Sequence, residues 1–202
     1  MECFMKNNIL NLLEEIRSIA QTGLNFTKDE YDIKRYKRLL NLASQSYSDL
    51  SGIDKNTIYN NFLNDIAYAT PKVGVEGVVF SNDKLLLVRR TDNNKWCLPC
   101  GWCEINESPQ QSVEREIFEE TGLNVKIITI IDVLHVLAGE YNQPHTYYQI
   151  MYHCEQISGT LTPSDETSDV GFFKIEEIQD WHRNHKQIAE RAFKYYNTFV
   201  KK

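Results

Sequence analysis

The chain has 202 residues, of which 42% are hydrophobic and 25% are charged, a composition typical of a folded globular protein and not of a disordered or fibrous one. Its 28 acidic and 22 basic residues give a formal net charge of −6, which excludes duplex DNA as an expected partner because the surface offers no general attraction for phosphates. No run approaches the roughly 20 apolar residues that cross a membrane, so no membrane partner is expected. The sequence has an odd number of cysteines, five, and we find no export signal in it. We therefore expect a cytoplasmic protein whose cysteines are free thiols.

The first seventy residues have the apolar periodicity of helices. One stripe recurs at steps of three and four residues and consists of Ile9, Leu12, Leu13, Ile16, Ile19 and Ala20. We expect this helix to end at Gly23 and a second helix to start at a capping box formed by Thr27 and Glu30. Asp54 can cap a third helix. These signals predict a helical N-terminal domain over residues 1–70.

Residues 71–202 are predicted to form a second domain, because after Pro71 the apolar period changes to that of strands. The runs KVGVEGVVF and KLLLVRR flank Ser81-Asn82-Asp83, which is typical of a hairpin turn. The remaining predicted elements are strands at Ile127–Leu137, Tyr147–Cys154 and GFFKI, and helices at Ile175–Trp181 and Ile188–Phe199.

A helix with both ends marked in the sequence lies inside this strand-rich region. Ser108 is placed as its N-cap, with Pro109 as the first helical residue and Gln111 as the partner in a capping box. Gly122 provides the C-terminal stop. The segment SPQQSVEREIFEETG therefore predicts a helix that begins after Ser108 and ends before Gly122.

Three acids share one edge of this helix. Glu116, Glu119 and Glu120 fall within an arc of roughly 100° at the helical repeat. Carboxylates three and four residues apart repel one another, so the cluster needs either solvent or a bound cation. Hard divalent cations prefer oxygen ligands. The residues alone leave two interpretations open: a solvated acidic face and a site for divalent cations.

The spacing of the whole segment resembles the Nudix box. The matching positions are Gly101, Glu107, Arg115, Glu116, Ile117, Glu119, Glu120, Gly122 and Leu123, and WCLP precedes them as in Nudix proteins. The resemblance implies an α/β fold, the Nudix α/β/α sandwich with a mixed sheet, preceded here by the small helical N-terminal segment. It also implies a metal-dependent pyrophosphohydrolase that cleaves a nucleoside diphosphate linked to another moiety.

The same resemblance implies a divalent-cation site with Mg²⁺ or Mn²⁺ as the cofactor. Its expected ligands are the carboxylates of Glu116, Glu119 and Glu120 and the carbonyl oxygen of Gly101. Two further box residues, Arg115 and Glu107, are expected to form a supporting pair that joins the loop to the helix.

A catalytic base in this family usually comes from outside the box, at a position that varies. Glu166, in SDETSDVGFF, resembles the acid that often occupies the loop before a short strand. Glu140, in the loop after Leu137, is a second candidate. For both, an ordinary exposed loop acid is an equal alternative.

A second resemblance concerns the N-terminal segment. AQTGLNFTKDEYDIKRYKRLL is similar to the helical segment of a bacterial Nudix subgroup described as CDP-choline pyrophosphatases and often labelled ADP-ribose pyrophosphatases. It implies CDP-choline or ADP-ribose as the substrate. We also expect a homodimer, because the apolar stripe of the first helix has little else to cover. Two alternatives stay open: a non-catalytic nucleotide-sensing module and a 3′-exonuclease acting on short RNA.

Two groups of side chains are candidates for contacting the substrate. A choline ammonium or a nucleobase could lie on the aromatic faces of Trp102, Tyr147, Tyr148 and Tyr152. Phosphates could bind to Arg89, Arg90 and Lys95. The alternatives are that the aromatic residues belong to the core and that the cations are solvated strand ends.

Three cysteines precede the helix at a spacing that also fits thiolate ligation of zinc or an iron–sulfur cluster. Cys97, Cys100 and Cys103 lack a fourth ligand nearby, because the run continues with Asn106 and Glu107. Alternation along a strand should also point neighbouring side chains to opposite sides of the sheet. We therefore interpret the three as free, partly buried thiols. Cys100 departs from the Gly-Gly common in Nudix boxes and places a side chain beside the metal loop.

Overall fold

The computed structural model describes residues 2–143 and 145–201, so that Met1, Pro144, Lys202 and the side chains of residues 2–7 and 142 lie outside the description. The chain forms two compact units. Unit 1 comprises Met1–Lys72 and Val136–Tyr147, and unit 2 comprises Val73–His135 and Tyr148–Lys202. The segment 136–147 thus belongs with the N-terminal part of the chain. The domain division at residues 70 and 71 stays a prediction.

Unit 1 is built on three helices, α1 (Glu2–Phe26), α2 (Glu30–Ser51) and α3 (Lys55–Asn64). Their shared core contains Leu13, Ala20, Leu40, Ala43, Tyr47, Ile58 and Phe62. The predicted end of α1 at Gly23 is wrong, because the helix continues through this glycine to Phe26. A side chain at position 23 would overlap the ring of Tyr36, so Gly23 serves close helix packing here.

The predicted capping box of α2 is also wrong in its residues. The N-cap is Asp29, whose side chain accepts a hydrogen bond from the N–H of Asp32. The hydroxyl oxygen of Thr27 accepts instead from the N–H of Asp29, 3.1 Å away. Asp54 caps α3 as predicted, accepting from the N–H of Thr57 at 2.9 Å.

Seven strands form one sheet in the described part of the chain. The strands are β1 (Lys72–Ser81), β2 (Lys84–Arg90), β3 (Trp96–Cys97), β4 (Cys100–Trp102), β5 (Leu123–Val136), β6 (Tyr147–Gly159) and β7 (Thr167–Phe173). The main order is β3-β2-β1-β6-β5, with β4 paired to β1 and β7 paired to β2. The predicted hairpin joins β1 to β2 antiparallel, and Asn82 and Asp83 turn it with φ angles of 51° and 59°.

The helices of unit 2 are α4 (Pro109–Thr121) and α5 (His185–Tyr195). Tyr196–Val200 extends α5 by a π-helical turn. A full helix at Ile175–Trp181 is wrong, since only the 3₁₀ turn Ile175–Glu177 forms there. The following chain is held extended along β3 instead, because the N–H of Trp96 donates to Asp180 O and the N–H of His182 donates to Trp96 O.

The two helices of unit 2 cover opposite faces of the sheet. On one face, Val75 and Val79 of β1 pack with Val113 and Ile117 of α4. On the other face, four sheet residues, Val78, Leu85, Leu87 and Met151, pack with Ile188, Ala189 and Ala192 of α5. This alternation produces the α/β/α layering expected from the sequence.

Gly77 brings α4 close to the sheet. A Cβ atom at this position would lie 2.5 Å from Ile117 Cδ1, so the strand can approach the helix only because no side chain intervenes. Among the described residues, no helix combines the length and apolar character needed to cross a bilayer. The cytoplasmic location stays a prediction.

Candidate active site

Helix α4 is fixed at both ends and along its buried face. The hydroxyl of Ser108 accepts from the N–H of Gln111 at 3.2 Å, and the Gln111 side chain accepts from the N–H of Ser108 at 2.9 Å, as the predicted capping box requires. Gly122 ends the helix with φ 74°. Val113 and Ile117 are fully buried, which fixes the rotation of α4 about its own axis. This rotation determines the direction in which the acidic side chains of α4 point.

The guanidinium of Arg115 contacts three carboxylates. Its Nε donates to both oxygens of Glu107 at 3.1 Å, and its Nη1 donates to Glu116 at 2.9 Å and Glu119 at 3.0 Å. Its Nη2 also donates to Trp102 O at 3.3 Å. The predicted pair of Arg115 and Glu107 is therefore in contact and joins the loop to the helix.

Glu120 is the buried member of the acidic edge. It is 3% exposed, and its Oε2 accepts from the N–H of Cys100 at 3.0 Å. Burial raises the pKa of Glu120 to about 8; the Cys100 N–H opposes this, and the charges of Glu116 and Glu166 add to it. Burial likewise raises the pKa of Glu116, against the lowering effect of Arg115. A divalent cation would stabilise both groups in their ionised forms.

Gly101 allows the loop to approach the acidic edge. A side chain at this position would overlap the carboxylate of Glu116. Residue 101 lies in β4, paired with Val75 of β1, so its backbone is held by the sheet. Pairing with β1 therefore keeps the Gly101 backbone beside the carboxylate of Glu116. Both residues are predicted ligands of the cation.

The two candidates for the base lie in different units. Glu166 is exposed in unit 2, and its charge acts on both Glu116 and Glu120, so it belongs to the surroundings of the acidic edge. Its loop is attached to α4, because the hydroxyl of Thr167 donates to Glu120 O at 2.9 Å. Glu140 belongs to unit 1, where its carboxylate accepts from the N–H of Leu137 at 3.1 Å.

The aromatic candidates divide by burial. Tyr147 and Tyr152 are 3% and 2% exposed and belong to the interior, in agreement with the alternative interpretation. Trp102 and Tyr148 are 44% and 39% exposed and present surface to a ligand. Tyr148 lies 5.4 Å from the ring of His135, measured between centroids.

The basic candidates have partners of their own. Arg90 forms an ion pair with Asp92 at 3.0 Å, and its charge also acts on Glu120. Arg89 donates from Nε to Asn94 O at 3.0 Å, and Lys95 is exposed. Of the three, Arg90 is thus the cation whose charge is felt at the acidic edge.

The donor atoms fit a hard divalent cation. The edge offers carboxylate oxygens from Glu116, Glu119 and Glu120 beside the backbone of Gly101, and oxygen donors are what Mg²⁺ and Mn²⁺ prefer. Arg115 Nη1 contacts one oxygen of Glu116 and one of Glu119, so a cation would take their other oxygens or replace these contacts, whereas the contact of Nε with Glu107 can stay.

Two contributions to the site lie beyond sequence reasoning. The hydrogen bond to Glu120 comes from the backbone N–H of Cys100, and a backbone donor has no residue signature. The Thr167 hydroxyl contacts Glu120 O from 47 residues away, a pairing that only the fold creates. The sequence gives one indication of Thr167, which is that this residue directly follows Glu166, a candidate base.

Comparison with known proteins identifies the family. The NUDIX domain profile matches residues 70–196, and the profile described as UDP-X-like, N-terminal oligomerisation domain matches residues 7–62. The chain belongs to the Nudix family. The predicted fold is confirmed, and the enzyme class is that of a Nudix hydrolase. Nudix hydrolases generally use divalent metal ions and act on nucleoside diphosphate derivatives.

Similar proteins share most of the length of the chain. YjhB of Bacillus subtilis (strain 168), provisionally named an ADP-ribose pyrophosphatase, is 37% identical over 84% of this chain and 82% of its own. The ADP-ribose pyrophosphatase of Methanocaldococcus jannaschii is 29% identical over 64% of this chain and 78% of its own. A crystal structure of UDP-X diphosphatase matches 95% of both chains with 28% identity and a TM-score of 0.59.

We expect Gly101→Ala to lower kcat/KM on the order of 100-fold, because the new methyl group displaces the Glu116 carboxylate and small displacements of catalytic groups have effects of this size. Steady-state kinetics with circular dichroism as a folding check measures this. Gly74→Ala is the control on the paired strand, because its Cβ would lie 3.4 Å from Gly101 O, an ordinary contact that displaces neither this oxygen nor the Glu116 carboxylate. Equal activity of the two variants would contradict the assigned closeness.

The metal-free protein should lose stability as the pH rises. Because the pKa of Glu120 increases from 4.5 to about 8 on folding, its contribution is fully present below pH 4.5 and is lost as the pH passes through about 8. Thermal unfolding with a chelator should show Tm falling across this window. Glu120→Gln should flatten the slope, whereas Glu114→Gln on the exposed face should not. The same slope in both variants would show that burial of Glu120 does not control it.

Proposed function

We propose that this chain is a metal-dependent pyrophosphohydrolase that converts a nucleoside diphosphate linked to another moiety into a nucleoside monophosphate and a phosphorylated partner. The observation that carries the proposal is the acidic edge of α4, where Glu116 and Glu119 contact one guanidinium and Glu120 is buried beside them. Such a cluster is costly without a positive charge, and an anionic pyrophosphate can approach it only when cations are present.

The reaction breaks one P–O bond of the anhydride and adds water to one phosphorus. Mg²⁺ or Mn²⁺, when bound, supplies neutralisation of the pyrophosphate charge and a water molecule of lowered pKa. Glu116, Glu119 and Glu120 would hold the cations, and the Cys100 N–H fixes the orientation of Glu120. Glu166 accepts the proton of the attacking water, a role supported by its effect on the acidic edge.

Arg115 acts as a positioning residue in this proposal. Its Nε contact with Glu107 keeps the loop against α4 while the Nη1 contacts with Glu116 and Glu119 exchange for cations. This account requires no movement of the helix.

ADP-ribose is the first substrate that we propose. It is supported by the names of two relatives, one of which is 37% identical across 84% of the chain. CDP-choline follows from the resemblance of the N-terminal segment, and UDP-linked compounds follow from the match with UDP-X diphosphatase over 95% of both chains. Trp102 and Tyr148 are the exposed aromatic faces available to a base or to the choline ammonium.

We further propose a homodimer formed through unit 1. The apolar residues predicted to form one stripe on α1 fall into two groups in the structure. Leu13 and Ala20 belong to the core of unit 1, whereas other residues of the stripe are exposed. Among the α1 side chains that the structure describes, those of residues 8–26, the large exposed apolar ones are Ile9, Leu12, Ile19 and Phe26. The profile for this segment describes an oligomerisation domain, which supports a second copy of the chain as the partner.

Glu119→Gln should lower turnover on the order of 100-fold or more, since several kcal/mol of transition-state charge stabilisation depends on the ions. The assay compares ADP-ribose, CDP-choline, a UDP-linked sugar and short RNA with Mg²⁺ or Mn²⁺. Glu114→Gln, on the exposed face of the same helix, is the control and should keep its activity. Binding of ADP-ribose without turnover of any substrate would support the sensing module instead.

Leu12→Arg should convert the dimer to a monomer, because it places a charge in the exposed apolar face of α1, where Leu12 is 60% exposed. Light scattering at working concentration measures the mass. Leu42→Arg on α2, where the leucine is 57% exposed, is the matched control and should stay dimeric. A monomeric wild-type protein, or dissociation only by the control, would contradict the proposed interface.

A further inference from the structure

A cluster of soft metal ligands lies next to the acidic edge but does not use its residues. One ligand atom each from Cys97, Cys100 and His185 lies within 4.8 Å of the others. Cys97 and His185 are buried and Cys100 is half-buried. The third cysteine of the sequence run, Cys103, is not in this group and packs against the core on the α4 face.

The fold creates this cluster through the short strands β3 and β4. Alternation along a strand does not separate Cys97 from Cys100, because the two residues lie in different, very short strands and the chain turns between them. The N–H of Leu98, inside that turn, donates to His185 Nδ1 at 3.2 Å. This contact orients the imidazole so that its Nε2 lies 4.0 Å from Cys100 Sγ.

We propose that Cys97, Cys100 and His185 form a binding site for a zinc-class transition-metal ion, separate from the site for hard cations on α4. Two thiolates and an imidazole are the ligands that Zn²⁺ and Co²⁺ favour over Mg²⁺. Two thiolates also balance the charge of a divalent ion, which matters for ligands that are largely buried. Three protein ligands leave the fourth tetrahedral position to water.

Glu76 provides an independent reason to expect a ligand here. It is 2% exposed, and its Oε2 has no hydrogen-bond partner within the described ranges 2–143 and 145–201. This oxygen lies 3.6 Å from His185 Nδ1, while Oε1 accepts from Gln149 at 2.8 Å. Glu76 is also the register partner of Cys100 across β1 and β4, so it faces the same cluster.

The unpartnered oxygen suits the role of orienting a metal-bound histidine. A ligating histidine almost always donates its other ring N–H to a carboxylate or carbonyl. The Leu98 contact places the proton of His185 on Nε2 in the metal-free protein. An ion bound through Nε2 would require the ring proton on Nδ1, so the hydrogen bond from the Leu98 N–H would be exchanged for one from Nδ1–H to Glu76 Oε2, which lies 3.6 Å away, and the charge of the ion would favour the ionised carboxylate.

Metal binding releases one proton from each cysteine thiol, and the two sulfur–metal bonds form without any change of oxidation state. The site also touches the box, because the N–H of Cys100 donates to Glu120 Oε2. An ion on Cys100 Sγ therefore immobilises the residue that orients Glu120. The proposal does not rest on the proposed hydrolysis and can be tested without a substrate.

The test is titration of the purified full chain with Co²⁺ under a thiol-free reductant. Cobalt bound to thiolates gives intense near-ultraviolet charge-transfer absorption, whereas cobalt on carboxylates gives weak visible bands alone. We expect one equivalent to produce the charge-transfer band and Zn²⁺ to abolish it. Cys97→Ser and Cys100→Ser should weaken or remove the band, and Glu76→Gln should lower the affinity about 10–100-fold.

Matched variants separate the cluster from its surroundings. Cys103→Ser, the remaining cysteine of the run, and Glu119→Gln, on the acidic edge, should keep the band. If Cys97→Ser fails to fold by circular dichroism, the half-buried Cys100 carries the test through Cys100→Ser. A wild-type protein without the band, or a band unchanged in Cys100→Ser, would overturn the proposal. Equal loss of the band in Cys103→Ser would also overturn the assignment of the ligands.

Discussion

Electrostatic repulsion along one helix edge is the constraint around which unit 2 is arranged. Glu116, Glu119 and Glu120 lie within two turns and repel one another wherever they are ionised, and Arg115 Nη1 contacts Glu116 and Glu119. Glu120 has no such contact and depends on a backbone N–H from the neighbouring loop. The close contact between that loop and the helix is therefore part of the electrostatics as well as of the packing.

Both ends of α4 and its orientation could be predicted because their causes are local. The capping box at Ser108, the glycine stop and the apolar spacing of Val113 and Ile117 all act within one helix. The β1–β2 hairpin is equally local, since its turn needs residues that tolerate positive φ at Asn82 and Asp83. The acidic edge follows from the same periodicity, so the site could be anticipated along with its helix.

The failures of prediction have tertiary causes. Gly23 is a stop signal by propensity, but the ring of Tyr36 occupies the space that its missing side chain leaves, and the helix continues. The segment Ile175–Trp181 is predicted as a helix, yet backbone hydrogen bonds of Asp180 and His182 with Trp96 hold its second half extended. The cysteine run gives the same lesson: Cys103 is near in sequence, whereas His185 is near in space. Partners from distant segments leave no pattern in a local window.

Gly77 connects the two sides of this arrangement. Its missing side chain admits Ile117 of α4, and its N–H donates to Pro99 O in the turn between β3 and β4 at 2.8 Å. A methyl group there would push the helix outward and strain the turn at the same time. A larger side chain at this interior position would thus reach the acidic edge by two routes, through Ile117 on α4 and through the Pro99 turn that leads into Cys100 and Gly101.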